Sequence, residues 1–264
     1  MPDVRGPYVP GTPCWVDLVV PDQREALDLY GDLFGWQGEP GPPETGGYAV
    51  CTLRGKPVAG IMTAMTAEGG SKPPPSWTTY LAVEDAEAAT RTISSGGGTV
   101  LYDCMDVLDL GRMAVVADST GAVFGLWQAK EFIGSQVVNE PGAVVWNELN
   151  TADPDTAARF YQQTLGLSAA PMEEVEGYFS LQAAGRVVGG MQDLQNSPPG
   201  SPSHWLTYFS VDDTDSTADA LVRAGGSVLK PPFDMVAGRM AVLRDPQGAV
   251  FAVIDATGPQ PPTA

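Results

Sequence analysis

Two short stretches of this chain place an indole and a carboxylate two residues apart, Trp15-Val16-Asp17 and Trp146-Asn147-Glu148. In an extended strand, side chains at i and i+2 leave from the same face, so each stretch presents an aromatic ring and an acid side by side. A carboxylate in mid-strand beside a tryptophan has to be hydrated, paired or used by a ligand, because an isolated buried charge is costly. Exposure at a strand end would satisfy it more simply. Such a pair suits a flat conjugated molecule bearing an amine, whose ring stacks on the indole while the ammonium meets the acid and the π face. The single histidine, His204, joins Asp17 and Glu148 as a candidate acid/base group or hydrogen-bond partner. Its plainer reading is a strand-end residue after the Ser197-Pro198-Pro199-Gly200 loop.

Other chemistry finds little support. There is no G-x-S-x-G elbow, no GxGxxG between a strand and a helix, and no P-loop. Cys104 precedes an acidic stretch, Asp103, Asp106 and Asp109, which disfavours a thiolate nucleophile. Thirty-two acidic residues against 14 basic ones give a formal charge of −18. That field repels phosphate backbones and anionic membranes and concentrates cations, although solubility alone would also account for it. No apolar run reaches the roughly 18 residues of a membrane span, and Met1 to Gly11 lacks the apolar stretch of a secretory signal. Three cysteines, Cys14, Cys51 and Cys104, without paired spacing point to a reducing cytoplasm.

These residues recur because the chain repeats itself. Cys14 to Leu18 is echoed by Val145 to Leu149, and Ala26 to Tyr30 by Ala157 to Tyr161. The segment WTTYLAVED from Trp77 returns as WLTYFSVDD from Trp205, and GRMAVVADSTGAVFGLWQA from Gly111 as GRMAVLRDPQGAVFAVIDA from Gly238. The order of matches indicates a duplication: a first domain over 10–129, a linker over 130–141, a second domain over 142–256 and a tail over 257–264. In each copy a strand precedes a helix that an aspartate caps, Asp22 in the first and Asp153, followed by Pro154, in the second. Short strands, a second strand and helix, and three more strands follow, so each half reads as βαβββ-βαβββ and the class as α+β.

That order, with its W-x-[DE]-L opening and DP-x-G-A-V-F ending, resembles the vicinal-oxygen-chelate superfamily, and within it the tandem actinobacterial branch labelled glyoxalase-like or hydroxylase. The resemblance implies a curled, cup-shaped sheet per half whose concave face takes a compact organic molecule. Metal-dependent members hold a divalent ion that polarises vicinal oxygens. The positions that match their ligands are Trp15, Thr78 and Gly125 in one half and Trp146, Leu206 and Ala252 in the other. None is a good ligand for such an ion, so no metal and no other cofactor is expected. The same alignment assigns faces: Trp15, Asp17, Tyr80 and Trp127 line one cup, and Trp146, Glu148 and Tyr208 the other. It turns Trp77 and Trp205 toward the helices. Met62, Met105 and Met113, with Met191, Met235 and Met240 in the second copy, are candidates for adaptable walls.

Three functions fit these residues. The first is metal-independent binding of a small aromatic, cationic natural product, like the bleomycin-resistance branch: drug sequestration, self-resistance, or an accessory role beside a tailoring enzyme of an aromatic-polyketide pathway. The second is a metal-free enzyme, an isomerase, cyclase or hydroxylase-assisting protein, with Asp17, Glu148, Tyr80, Tyr208 or His204 as acid or base. The third is a non-catalytic interaction protein with vestigial cups. Under each reading the chain is expected as a monomer or homodimer. All three share one expectation: the purified protein carries no tightly bound divalent metal. Stoichiometric zinc, nickel, iron or manganese by elemental analysis, with function lost to a chelator, would end it.

Overall fold

The computed structural model describes residues 3–65, 72–173, 175–198 and 200–256; the tail expected over 257–264 lies outside them. The first half runs β1 (Pro13–Val20), α1 (Gln23–Phe34), β2 (Ala49–Leu53), β3 (Lys56–Thr63), β4 (Ser76–Ala82), α2 (Ala86–Ser95), β5 (Thr99–Val107), β6 (Gly111–Ala117) and β7 (Val123–Ala129). The second runs β8 (Val144–Thr151), α3 (Pro154–Leu165), β9 (Ser168–Pro171), β10 (Tyr178–Ala183), β11 (Arg186–Asp193), β12 (His204–Ser210), α4 (Thr214–Arg223), β13 (Ser227–Met235), β14 (Gly238–Arg244) and β15 (Val250–Asp255). The fold is α+β, with one curled sheet for each half. Each helix begins where an aspartate, Asp22, Asp85, Asp153 or Asp213, accepts a backbone N–H of the first turn, a cap typically worth about 1 kcal/mol.

The first sheet has the order β2-β3-β1-β4-β7-β6-β5 and the second β13-β14-β15-β12-β8-β11-β10-β9. The two modules of each half are therefore joined within that half, by antiparallel β1–β4 and β8–β12 pairs. One element departs from the expected βαβββ order. The second half has β9 at its edge, whereas the first half shows there only an isolated bridge between Gln37 and Thr52. The segment after that bridge, Gly38-Glu39-Pro40-Gly41-Pro42-Pro43, explains the loss, since proline brings no N–H to a ladder.

The two halves pack through the helix-bearing faces of their sheets, and each apolar core draws on both. One core joins β1, α1, β2 and β3 to Phe209, Leu221, Leu243 and Phe251 of the second half. The other joins Leu81, Ile93, Phe124 and Leu126 to Phe160, Tyr161, Leu181 and Met191. At the centre, Thr79 Oγ1 donates to Asn147 Oδ1 at 2.8 Å and lies 3.4 Å from Thr207 Oγ1, its repeat counterpart.

A reciprocal lock crosses this interface. Tyr30 of α1 donates to Asp245 Oδ2 at 3.0 Å and accepts from Trp77 Nε1 at 3.2 Å. Tyr161 of α3 donates to Asp118 Oδ2 at 3.0 Å and accepts from Trp205 Nε1 at 2.9 Å. Each aspartate uses its other oxygen to hold its own turn: Asp245 takes the N–H groups of Gln247, Gly248 and Ala249, and Asp118 those of Thr120 and Ala122. Trp77 and Trp205 thus face the helices, as the strand alternation predicts.

Removing either tyrosine hydroxyl leaves a buried carboxylate oxygen and an indole N–H without their partner. Tyr30→Phe and Tyr161→Phe should each lower stability by about 1–3 kcal/mol, with both halves still unfolding in one transition. Urea unfolding followed by tryptophan fluorescence and far-ultraviolet circular dichroism measures this; two separated transitions in the native protein, or no loss in either variant, would contradict the lock.

Candidate functional site

The faces turned away from the shared cores carry the candidate site. Trp15 on β1 stands opposite Tyr80 on β4, which neighbours Gly125 on β7. In the second half Trp146 stands opposite Tyr208, which neighbours Ala252. A Cβ on Gly125 would fall 2.1 Å from the Tyr80 ring, so the missing side chain is what lets that ring lie across β7. Glycine creates a second slot in each cup: a Cβ on Gly60 or Gly190 would collide with the hydroxyl of Tyr48 or Tyr178. Those two tyrosines, at the start of the β2 and β10 segments, therefore reach over the sheet to the central strand.

What they reach is the carboxylate. In the first cup Trp15 Nε1 donates to the Tyr48 hydroxyl at 2.7 Å, and Tyr48 donates to Asp17 Oδ2 at 3.4 Å. The Tyr80 hydroxyl also bonds Asp17. In the second cup Trp146 Nε1 donates to the Tyr178 hydroxyl at 2.8 Å, and Tyr178 bonds Glu148. Glu148 Oε1 also accepts from Tyr208 at 3.0 Å, Asn150 at 3.1 Å and Gln192 at 2.8 Å. The two carboxylates are buried, at 5% and 4% exposure, and each is held between two tyrosines.

The surroundings tune these groups. Burial pushes Asp17 up to about 7, against the opposing pull of its bonds to Tyr80 and Tyr48. Burial, reinforced by the neighbouring carboxylate, holds Tyr48, Tyr80, Tyr178 and Tyr208 well above the usual phenol range. These hydroxyls stay protonated and act as donors.

Trp15, Asp17, Tyr80 and Trp127 come together on one inner face, with Met62 half-buried two residues beyond Gly60 on the same strand. Trp146, Glu148 and Tyr208 come together on the other. His204 opens β12 opposite Asn150, and its Nδ1 lies 2.9 Å from the carbonyl oxygen of Pro202, so its ring is tied to the preceding loop. The placement of Met191 is corrected. It is 1% exposed in the core between the sheets, because it follows Gly190 and strand alternation turns it away from the cup. The inward residue at the position matching Met62 is Gln192, a donor to Glu148. Met240 belongs to the second inner face and Met113 packs on the first, whereas Met105 and Met235 are exposed, at 55% and 40%. Tyr48 and Tyr178 join the site although strand alternation along β1 and β8 does not point to them. Their signal was present in the recurring Gly47-Tyr48 and Gly177-Tyr178 pairs, each followed at equal spacing by Gly60 or Gly190.

The six positions that match the metal ligands hold indole, hydroxyl or aliphatic groups or no side chain, and among the described residues no three His, Cys, Asp or Glu gather into a possible metal site. Asp17 and Glu148, the only acids on these strands' inner faces at this level, are engaged by tyrosines. These residues do not fit a catalytic divalent ion.

The family model of the Glyoxalase/Bleomycin resistance protein/Dioxygenase superfamily matches the chain twice, over residues 14–126 and 135–253. A Mycobacterium tuberculosis protein carrying the name glyoxylase CFP32 is 44% identical over 95% of this chain and 97% of its own. The anthracycline biosynthesis protein DnrV of Streptomyces peucetius is 38% identical over 94% of each chain. Among solved structures, a Mn(II)-bound glyoxalase from Novosphingobium aromaticivorans shares the fold with a TM-score of 0.62 at 14% identity, over 94% of this chain and 85% of that one. The trihydroxybiphenyl dioxygenase of Sphingomonas wittichii does so with a TM-score of 0.63 at 14% identity, over 97% and 93%. Two matched domains, full-length relatives and a cup-shaped sheet in each half together make this chain a tandem member of the glyoxalase/bleomycin resistance protein/dioxygenase superfamily.

Proposed function

We propose that this protein binds a compact aromatic molecule bearing an amine, without a metal ion, as an accessory or sequestering protein of antibiotic biosynthesis. One observation carries the reading: in both cups an indole–tyrosine–carboxylate–tyrosine array stands where metal-dependent relatives place their ligand row. The array offers ring faces for stacking and a buried acid for a cation. The likeness to a protein named for anthracycline biosynthesis supports the pathway class, and the charge of −18 favours a cationic guest.

A charge-assisted contact of this kind is worth about 1.5–3 kcal/mol. Replacing the acid that meets the amine by its amide, Asp17→Asn or Glu148→Gln, should weaken binding of an amine-bearing polycycle such as proflavine by roughly one to two decades. An uncharged analogue of the same ring system should bind native protein more weakly by a similar factor and lose little more in that variant. Tryptophan quenching titrations give the affinities. Equal binding of charged and uncharged rings to native and both variants would defeat the cationic-ligand reading.

One observation favours a second reading, metal-free acid/base catalysis: Asp17, raised to about 7, is poised to exchange a proton near neutral pH. Its raised value also has a stability signature. Between about pH 4 and pH 7 the folded protein holds a proton that the unfolded chain has released, so the contribution of Asp17 makes stability fall as pH rises through this window. The loss is on the order of 2–4 kcal/mol. Asp17→Asn should flatten that part of the profile and raise stability at pH 8 relative to native. Urea unfolding of both proteins from pH 4 to pH 8 reads it directly; parallel profiles would show that Asp17 ionises normally.

A further inference from the structure

The segment joining the two sheets places an aromatic ring in the first cup. Phe132 meets Trp15 edge-on, with centroids 4.9 Å apart and planes at 87°, and lies 5.9 Å from Trp127 at 81°. Its backbone is pinned from both sides. Phe132 N donates to the carbonyl oxygen of Leu110 at 3.0 Å, and Trp127 Nε1 donates to that of Phe132 at 2.8 Å. Three residues on, Ser135 N donates to the carbonyl oxygen of Cys14 at 2.8 Å and Ser135 Oγ to that of Val58 at 3.1 Å. Tyr8 fastens the same strap by donating to the carbonyl oxygen of Ser135 at 2.7 Å, and its ring packs with Phe132 on the Trp15, Tyr80 and Trp127 cluster. This edge-to-face contact is the geometry that aromatic pairs prefer.

The second cup differs at each point. The repeat counterpart of Trp127 is Ile254. Trp15 is 6% exposed, whereas Trp146 is only half-buried. No ring pair among the described residues involves Trp146. Glu148 is held by two tyrosines and two amides, a carboxylate fixed in place on the same face as an indole that is more exposed than its counterpart in the first cup. A phenyl group brings no cation to Asp17, which is buried without charge compensation, in line with the upward displacement of that acid.

We infer that Phe132 is a built-in occupant of the first cup, holding the place of an aromatic guest, so that the second cup alone takes the ligand. This rests on the binding function proposed above and names the site that performs it. Removing the ring opens the first cup as a second, cryptic site of the same chemistry.

The test uses the full chain labelled with fluorotryptophan at its six tryptophans, each fluorine resonance assigned by a Trp→Phe replacement, and proflavine as the probe. In native protein proflavine should shift the Trp146 resonance, saturate at one molecule per chain and leave Trp15 and Trp127 unmoved. In Phe132→Ala the Trp15 and Trp127 resonances should move as well, with saturation at two. Phe132→Leu, which keeps apolar bulk without a ring, carries the same expectation if the alanine variant melts early. Movement of Trp15 or Trp127 in native protein, or saturation at one in both variants, overturns the inference while leaving the binding function standing. If no resonance moves in any of the proteins, the binding function fails and the inference with it.

Discussion

Everything else in this molecule depends on the exchange of a tyrosine hydroxyl across the midline. Tyr30 reaches from the first half to Asp245 in the second, and Tyr161 reaches back to Asp118. All four groups are buried, so each donor and acceptor needs the other to offset its desolvation. Because each aspartate also gathers the N–H groups of the turn before the last strand of its own sheet, one interaction fixes helix, turn and opposing sheet together. The apolar cores have the same reciprocity, each built from one module of either half. A cut at the linker would expose the part of each core that the other half covers.

The consequence for the site is directional. With the helix-bearing faces committed to each other, the opposite faces are left to form the concave sides of the two sheets. Their polar groups are held by hydrogen bonds to one another. Glycines at 60, 125 and 190 remove the Cβ atoms that would block three tyrosine rings, and those rings then orient the carboxylates. Such an arrangement spends backbone freedom on preorganisation. It also explains why two acids can lie on inner strands beside indoles: the phenols give them hydrogen-bond donors without bringing a positive charge.

The cups are equivalent in plan and different in furnishing. Asp17 has two phenols for partners, and Glu148 adds Asn150 and Gln192. The extra methylene and the two amides make the second carboxylate better satisfied, while Phe132 closes on the first cup from outside the sheet. A duplication supplies two copies of one arrangement, and divergence of a few side chains has furnished them differently.

Much of this was legible in the order of residues. The repeat, the aspartate caps and the strand alternation that pairs Trp15 with Asp17 and Trp146 with Glu148 follow from local rules of period and capping, whereas the six positions that match metal ligands are legible only through the family resemblance. Strand alternation also turned Trp77 and Trp205 correctly toward the helices. Around Met191 the strand is apolar on both faces, because Gly190 precedes it, so residue type points toward the cup while strand parity places the side chain in the core. The phenols Tyr48 and Tyr178, the amide Gln192 and the ring of Phe132 belong to other strands or to the linker. Their approach depends on which strands lie adjacent and on where a missing Cβ opens a path. Sequence determines periodicity along one strand at a time; only the tertiary structure decides which side chains from distant strands meet, because that meeting is set by sheet order and by the packing of two halves against each other.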